Sequence, residues 1–119
     1  MRRALIIDDE IDICYLLSSI LRTKNLQVNY VNSITEASAA LETQQPELIF
    51  LDNHLPDGLG VDFITKLKST HPDAKIVMIT AFDNFSDRAK AFSNGVDTFI
   101  SKPFTKAVIY QTVDNLLKL

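Results

Sequence analysis

Five polar side chains of this sequence each stand directly after an apolar run or within two residues of its end. They are Asp8, Asp9, Asp52, Thr80 and Lys102. The clearest case is Asp52, because residues 48–51 before it contain no polar side chain. Three carboxylates brought together would repel one another unless a cation lies between them. A hard divalent ion such as Mg²⁺ meets that need, and a lysine and a threonine hydroxyl beside it would bind an anion. The set therefore indicates a site for a phosphoryl group.

These side chains can meet only if the apolar runs form neighbouring parallel strands. The runs cover residues 4–7, 28–31, 48–51, 76–79 and 98–100, and an amphipathic helical pattern follows each of them. Short strands that alternate with helices predict a three-layer α/β domain with a parallel sheet. The carboxyl ends of parallel strands share one edge of the sheet, so we expect the five side chains to converge there.

The boundaries of the helix after Thr80 are predicted from local signals. Asp83 is the predicted N-cap, and Phe85, Ala89 and Phe92 share one face at helical spacing. Asn94-Gly95 predicts a left-handed C-cap. We therefore expect a helix over residues 84–94 with these three side chains on one face.

Length and charge exclude several classes of protein. The 119 residues fit one domain, which we expect to span residues 1–119. The net charge is -3 and there is no block of Lys or Arg, so we expect no direct nucleic-acid binding. The single cysteine suggests a reducing compartment, and no apolar run is long enough to span a bilayer. We expect a cytoplasmic protein that is not bound to a membrane.

The ordered set of residues at the strand ends resembles a response-regulator receiver domain over essentially the whole chain. The residues that carry the resemblance are Asp8-Asp9, Asp52 with Leu55-Pro56-Asp57-Gly58, Thr80-Ala81, Phe99 and Lys102-Pro103-Phe104. The resemblance implies a flavodoxin-like fold of five βα units, doubly wound around a five-stranded parallel sheet of strand order 2-1-3-4-5. It also implies a signalling domain rather than an enzyme, with only self-catalysed phosphotransfer and autodephosphorylation.

The resemblance implies a role for each site residue. Asp52 is the implied phosphoacceptor. The implied ligands of Mg²⁺, or of Mn²⁺ in its place, are Asp8, Asp9, Asp52 and the backbone carbonyl of His54. The implied phosphoryl contacts are Thr80, Lys102 and the backbone amide of Ala81. Pro103 is implied to follow a cis peptide bond that aims Lys102.

A conformational switch and a set of partners are implied as well. Phosphorylation would draw Thr80 inward and let Phe99 rotate from an exposed to a buried position. The altered surface would comprise the helix at 84–94, the strand at Phe99 and the helix at 105–117. The implied donor is a sensor histidine kinase or a histidine phosphotransfer protein, and the implied receiver of the signal is an output domain or a downstream protein. The last helix lacks the Glu-Leu then Arg pattern of winged-helix regulators, so we expect a monomer or a weak, phosphorylation-dependent dimer.

Two residues near the phosphoacceptor leave alternatives open. Phe82 either screens the aspartyl phosphate from water or only packs against the core. His54 either assists proton transfer to water or is an ordinary loop histidine.

Two other functions compete with a phosphoacceptor. A haloacid-dehalogenase-like phosphatase also uses an aspartate after a strand, but it needs a second aspartate two residues on, where this chain has His54. A pseudo-receiver would keep the fold without being phosphorylated. The sequence is also compatible both with a stand-alone regulator and with the front part of a longer protein.

Overall fold

The computed structural model describes residues 2–118, in which strands and helices alternate. In chain order the elements are β1 (Arg3–Ile7), α1 (Ile11–Arg22), β2 (Gln27–Val31), α2 (Ile34–Leu41), β3 (Leu48–Asp52), β4 (His54–Leu55), β5 (Gly58–Leu59), α3 (Gly60–Thr70), β6 (Lys75–Thr80), α4 (Phe85–Asn94), β7 (Thr98–Ser101) and α5 (Lys106–Leu117). The five predicted strands are all present. The short strands β4 and β5 form a separate antiparallel ladder directly after β3, where the sequence predicted only a turn.

The five longer strands form one parallel sheet in the order β2-β1-β3-β6-β7. When the two short strands are left out of the count, this is the order 2-1-3-4-5, so the expected flavodoxin-like topology is confirmed. The chain moves from β1 outward to β2 and then back across to β3, so the direction of winding reverses between β1 and β3. Ligands of open α/β sheets bind at such a reversal, beyond the carboxyl ends of the strands.

Helices cover both faces of the sheet because the central strands are apolar and buried on both faces. Leu51 packs into a cluster with side chains of α2, α3 and α4, whereas Phe50 packs into a second cluster with α1 and α5. The other central strands divide in the same way, since successive side chains of a strand point to opposite faces. The predicted three-layer arrangement is therefore present.

The start of α3 lies against the end of β3. The amide of Gly60 donates a hydrogen bond to the Asn53 carbonyl at 2.7 Å. A Cβ atom at Gly60 would lie 2.1 Å from the Asp52 carbonyl oxygen, far inside van der Waals contact. Only glycine fits this backbone contact, which fixes the position of the strand end that carries Asp52.

The caps of α4 differ in part from prediction. The N-cap is Asn84, whose side chain accepts a hydrogen bond from the Asp87 amide. The prediction of Asp83 was wrong by one residue, because the Asp83 carboxylate instead pairs with the Arg88 guanidinium at 3.2 Å. Gly95 has a φ of 108° and forms the predicted left-handed C-cap.

The face of α4 that carries Phe85, Ala89 and Phe92 lies at the surface. Phe85 is 87% exposed and Phe92 is also exposed, whereas Ala91 is fully buried. The helix therefore packs through small side chains and leaves two aromatic rings at the surface. Among residues 2–118, no helix is long and apolar enough to cross a membrane.

Candidate functional site

Carboxylates gather at the edge of the sheet where the winding reverses. Asp8 follows β1, Asp52 is the last residue of β3, and both are buried. One oxygen from each of Asp8, Asp9, Glu10 and Asp52 lies within 4.8 Å of the others. The three predicted acids are thus brought together, and Glu10 is a fourth that the sequence prediction did not include.

Lys102 reaches into this acidic cluster from the end of β7. Its Nζ lies 2.9 Å from Asp8 Oδ2, 2.9 Å from Glu10 Oε1 and 3.7 Å from Asp52 Oδ1. The lysine side chain is only 7% exposed. One positive charge faces as many as four negative charges, so the cluster keeps an excess of negative charge. An all-oxygen donor set with excess negative charge suits a hard divalent cation such as Mg²⁺.

Burial and the neighbouring charged groups together shift the pKa values of these side chains. Burial, followed by the charge of Asp8, raises the pKa of Asp52 to about 7, although Lys102 and the Asn53 amide act in the opposite direction. Burial also raises the pKa of Asp8 above its usual value, even though Asp8 bonds to Lys102. Burial by itself would lower the pKa of Lys102, but the hydrogen bonds with Glu10 and Asp8 and the charge of Asp52 outweigh it and raise that pKa. The site therefore disfavours two ionised carboxylates beside one lysine.

The predicted phosphoryl contacts lie at the ends of β6, which pairs with the strand of Asp52, and of β7, which is one strand further. In the register of β3 and β6, Asp52 pairs with Ile79, so Thr80 is one residue beyond this partner. Thr80 is fully buried, and its Oγ1 accepts a hydrogen bond from the Phe82 amide at 3.1 Å. The Lys102 amide donates to the Thr80 carbonyl at 2.9 Å, which joins the ends of β6 and β7. Ala81 follows at the surface.

His54 and Phe82 contact each other. Their ring centroids are 4.5 Å apart at an interplanar angle of 58°. Phe82 is 61% exposed, so the alternative that it only packs against the core does not fit its surroundings. His54 lies in the short strand β4 and Phe82 in the loop after β6, and the two rings form an aromatic pair near the strand end of Asp52.

Phe99 and Pro103 complete the predicted set. Phe99 is 7% exposed, and the Arg88 guanidinium carbon lies 4.6 Å from the centre of its ring. The resemblance implies an exposed ring in the unmodified chain, whereas the structure has it inside, under the arginine. The Lys102-Pro103 peptide bond is cis, which is the isomer that the resemblance implies.

Asn53 has a larger part than its sequence position suggests. Its side chain is fully buried and bonded at both ends. Its Oδ1 accepts from the Val61 amide at 2.9 Å, and its Nδ2 donates to Asp87 Oδ2 at 3.3 Å. One amide thus connects the residue after Asp52 to the first turns of α3 and α4. No sequence signal marks this role, because the partners are distant in the chain.

Two further polar side chains hold the backbone of Asp8. Asn32 Nδ2 donates to the Asp8 carbonyl at 2.9 Å, and the Cys14 thiol donates to the same oxygen at 3.3 Å. Burial, followed by the charge of Asp8, raises the pKa of Cys14 to about 12. The thiol is therefore protonated at neutral pH and has a structural contact rather than a reactive one.

Comparisons with known proteins agree with this geometry. A family model for the response regulator receiver domain matches residues 4–114. The chain is 33% identical over 112 residues to the probable transcriptional regulatory protein TcrX of Mycobacterium tuberculosis, covering 88% of this chain and 48% of TcrX. The chain thus spans about half the length of that relative.

Solved structures of receiver domains are also similar. The beryllofluoride-activated NtrC4 receiver domain dimer has a TM-score of 0.94 and 30% identity, covering 99% of this chain and 98% of that chain. A response regulator from Burkholderia pseudomallei, solved with a phosphorylated aspartic acid, calcium ion and citrate, has a TM-score of 0.88 and 25% identity, covering 99% of this chain and 71% of that one. With its topology, its acidic cluster and the family match over residues 4–114, this chain belongs to the response regulator receiver domain family.

Proposed function

We propose that this chain accepts a phosphoryl group on Asp52 in a Mg²⁺-dependent reaction. The donor is a phosphohistidine of a sensor histidine kinase or of a histidine phosphotransfer protein. The observation that carries the proposal is the buried Asp52 carboxylate, which lies within reach of Lys102 in a cluster of four acids. The phosphorylated aspartic acid and the calcium ion of the Burkholderia pseudomallei relative support it by analogy.

The chemistry of transfer needs little beyond position and charge. The P–N bond of the donor breaks, a P–O bond to an Asp52 carboxylate oxygen forms, and the released imidazole keeps the electron pair of the broken bond. Asp52 must be ionised to attack, and its raised pKa means that the isolated cluster opposes this. Bound Mg²⁺, held by Asp8, Asp9, Asp52 and the His54 carbonyl, would supply the positive charge that favours ionisation. Lys102, the Thr80 hydroxyl and the Ala81 amide would bind the phosphoryl oxygens.

The signal leaves through the surface formed by α4, β7 and α5. Thr80 would turn toward the phosphoryl group, and Phe99 would then be held in the inward position that it already has beneath Arg88. The two positions of the ring are a two-state element whose populations phosphorylation shifts. An output domain or a downstream protein would recognise the altered surface.

The oligomeric state and the location of the chain belong to the same proposal. The NtrC4 receiver domain is a beryllofluoride-activated dimer, and we propose that this chain is a monomer or a weak dimer that phosphorylation strengthens. A histidine kinase phosphorylates regulators on the inner side of the membrane, so we propose a cytoplasmic protein. The chain covers 48% of TcrX, and we assign any output activity to a separate domain or to a downstream protein rather than to the receiver fold.

The test is modification of Asp52 by small phosphodonors. The chain is incubated with Mg²⁺ and acetyl phosphate and measured by intact mass, and with Mg²⁺ and beryllofluoride and measured by amide NMR. We expect one added phosphoryl group and shifts around residues 52–54 and 80–82, both absent from the Asp52→Asn variant. A chain that shows no Mg²⁺-dependent change would be a pseudo-receiver. Turnover of unrelated phosphoesters would indicate a phosphatase instead.

A further inference from the structure

Glu10 has a carboxylate that the proposed phosphoryl chemistry does not use. It occupies the N-cap position of α1, but its side chain makes no capping hydrogen bond there. It turns back toward the acidic cluster instead, where its Oε1 accepts a hydrogen bond from Lys102 Nζ at 2.9 Å. The side chain is 57% exposed, so water competes for this bond.

The three contacts of Lys102 differ in how easily they can be given up. An ammonium group has three N–H donors. The contact with Asp8 at 2.9 Å joins two buried groups, and Asp8 is further fixed because its Oδ1 accepts from the Glu10 amide. The contact with Asp52 is long, at 3.7 Å. Glu10 is therefore the near partner of Lys102 that can rotate into solvent at low cost.

A phosphoryl group on Asp52 needs a hydrogen bond from Lys102, whose ammonium group donates to Glu10 in the unmodified chain. The oxygens of an aspartyl phosphate extend beyond the Asp52 carboxylate, and Lys102 must turn toward them to donate. The negative charge of Glu10 both holds the ammonium group and repels the incoming anion. Each effect makes the phosphorylated state less favourable than it would be without Glu10.

We propose that Glu10 is a positioning residue that holds Lys102 in the unmodified chain and competes with the phosphoryl group for it. Glu10 thereby sets how readily Asp52 is phosphorylated and how much of the population is modified at a given supply of donor. The inference rests on the proposed phosphorylation of Asp52. Glu10 is then a partner of Lys102 and not a ligand of the metal, although a Glu10 oxygen lies within the acidic cluster.

The test compares Glu10→Gln with Asp12→Asn. Asp12 is an exposed acid in the first turn of α1, two residues from Glu10, so the control removes the same charge from the same helix end. Beryllofluoride affinity at saturating Mg²⁺ is measured by amide NMR, and the rate with acetyl phosphate is measured by intact mass. We expect Glu10→Gln to bind beryllofluoride about two- to fivefold more tightly, the range of an exposed ion pair, and to react correspondingly faster. Asp12→Asn should change neither quantity measurably.

A second pair of variants tests the route through Lys102. In a Lys102→Gln background, Glu10→Gln should increase the rate with acetyl phosphate less than it does in the parent chain, because there is no ammonium group to release and only the repulsion is removed. An equal increase in the two backgrounds would mean that Glu10 acts only by repulsion, and it would overturn the assignment to Lys102. The advantage of Glu10→Gln should also decrease at high salt, because the bond is exposed.

The remaining outcomes separate this inference from the proposed function. If Glu10→Gln weakened Mg²⁺ binding in an NMR titration and lowered beryllofluoride affinity, Glu10 would be a metal ligand and the inference would be wrong. Equal affinities of the Glu10→Gln and Asp12→Asn variants would overturn the inference alone. A parent chain that acetyl phosphate and beryllofluoride never modify at Asp52 would overturn the proposed function together with the inference.

Discussion

Replacing Asp52 with asparagine should make the metal-free protein more stable at neutral pH. Asp52 is only 5% exposed, and its carboxylate lies beside Asp8. Its pKa rises from 3.8 in a model compound to about 7 in the folded chain. At about 1.4 kcal/mol for each tenfold change in the ionisation equilibrium, this corresponds to a penalty of about 4 kcal/mol when the carboxylate is ionised.

Asparagine at position 52 removes the ionisation penalty but adds a smaller cost of its own. Its carbonyl oxygen can still accept from the Asn53 amide, as Asp52 Oδ1 does at 2.9 Å. Its amide NH₂ group would be buried beside Lys102, and a buried polar group without a partner costs about 1–3 kcal/mol. We therefore expect a net increase of about 2 kcal/mol in the free energy of unfolding at neutral pH.

The pH dependence gives the sharper measurement. A carboxyl group whose pKa is raised on folding binds its proton more tightly in the folded chain, so it lowers stability as pH rises from the unfolded pKa to the folded one. The Asp52→Asn variant should thus be less stable than the parent chain near pH 4, where only the cost of the buried amide applies. It should gain stability relative to the parent up to about pH 7 and stay more stable by a constant amount above that pH. Urea unfolding in a chelating buffer, followed by circular dichroism across this range, measures the difference. Asp73→Asn, at the opposite edge of the sheet, is the control for loss of an exposed acid.

Addition of Mg²⁺ should reduce the advantage, because an ion that binds only the folded parent chain stabilises it by mass action. The reasoning would be refuted if Asp52→Asn were no more stable than the parent at neutral pH without metal. It would also be refuted if the difference did not change between acid and neutral pH. Either result would mean that the ionised carboxylate is already well compensated by Lys102.

Three further perturbations test separate parts of the structure. Gly60→Ala should lower the free energy of unfolding by about 2 kcal/mol or more, because the new methyl group must displace the Asp52 carbonyl. Chemical denaturation measures this free energy, and an unchanged midpoint would contradict the close contact. Phe82→Ala should shorten the lifetime of the aspartyl phosphate, because it removes a ring, 4.5 Å from that of His54, that would screen the phosphate from water. Intact mass after removal of the donor measures the lifetime. An equal half-life would show that the ring does not screen the phosphate. Asp57→Asn should reduce the loss of stability in acid, because hydrogen bonds from Thr35 and from the first turn of α2 lower the pKa of Asp57 in the folded chain. The stability that the Asp57 carboxylate contributes is present above its unfolded pKa and is lost as pH falls through its folded pKa. Thermal melts between neutral pH and about pH 3 measure this loss, and parallel curves for the two proteins would rule the prediction out.

The strands and helices could be predicted because their causes are local, whereas the order of the strands in the sheet was implied by the resemblance to receiver domains. The run at residues 48–51 is apolar on both faces, and a strand with that composition is stable only between two layers of helices. Gly95 marks a left-handed cap because an L side chain rarely adopts its φ of 108°. The face through which α4 packs depends on distant residues instead: Phe85 and Phe92 share a face at helical spacing, but the buried side chain of this helix is that of Ala91.

By itself the sequence determined that Asp8, Asp9, Asp52, Thr80 and Lys102 stand at the ends of strands, and parallel strands necessarily bring those ends to one edge. Only the tertiary structure decided what each side chain does there. The hydrogen bond between Lys102 and Glu10 joins residues 92 positions apart in the chain, and that between Asn53 and Asp87 joins residues 34 positions apart. Such contacts depend on how helices pack across strand ends, and no local pattern encodes that packing. The burial that raises the pKa of Asp52 has the same origin, because it exists only when the surrounding layers have closed over the strand.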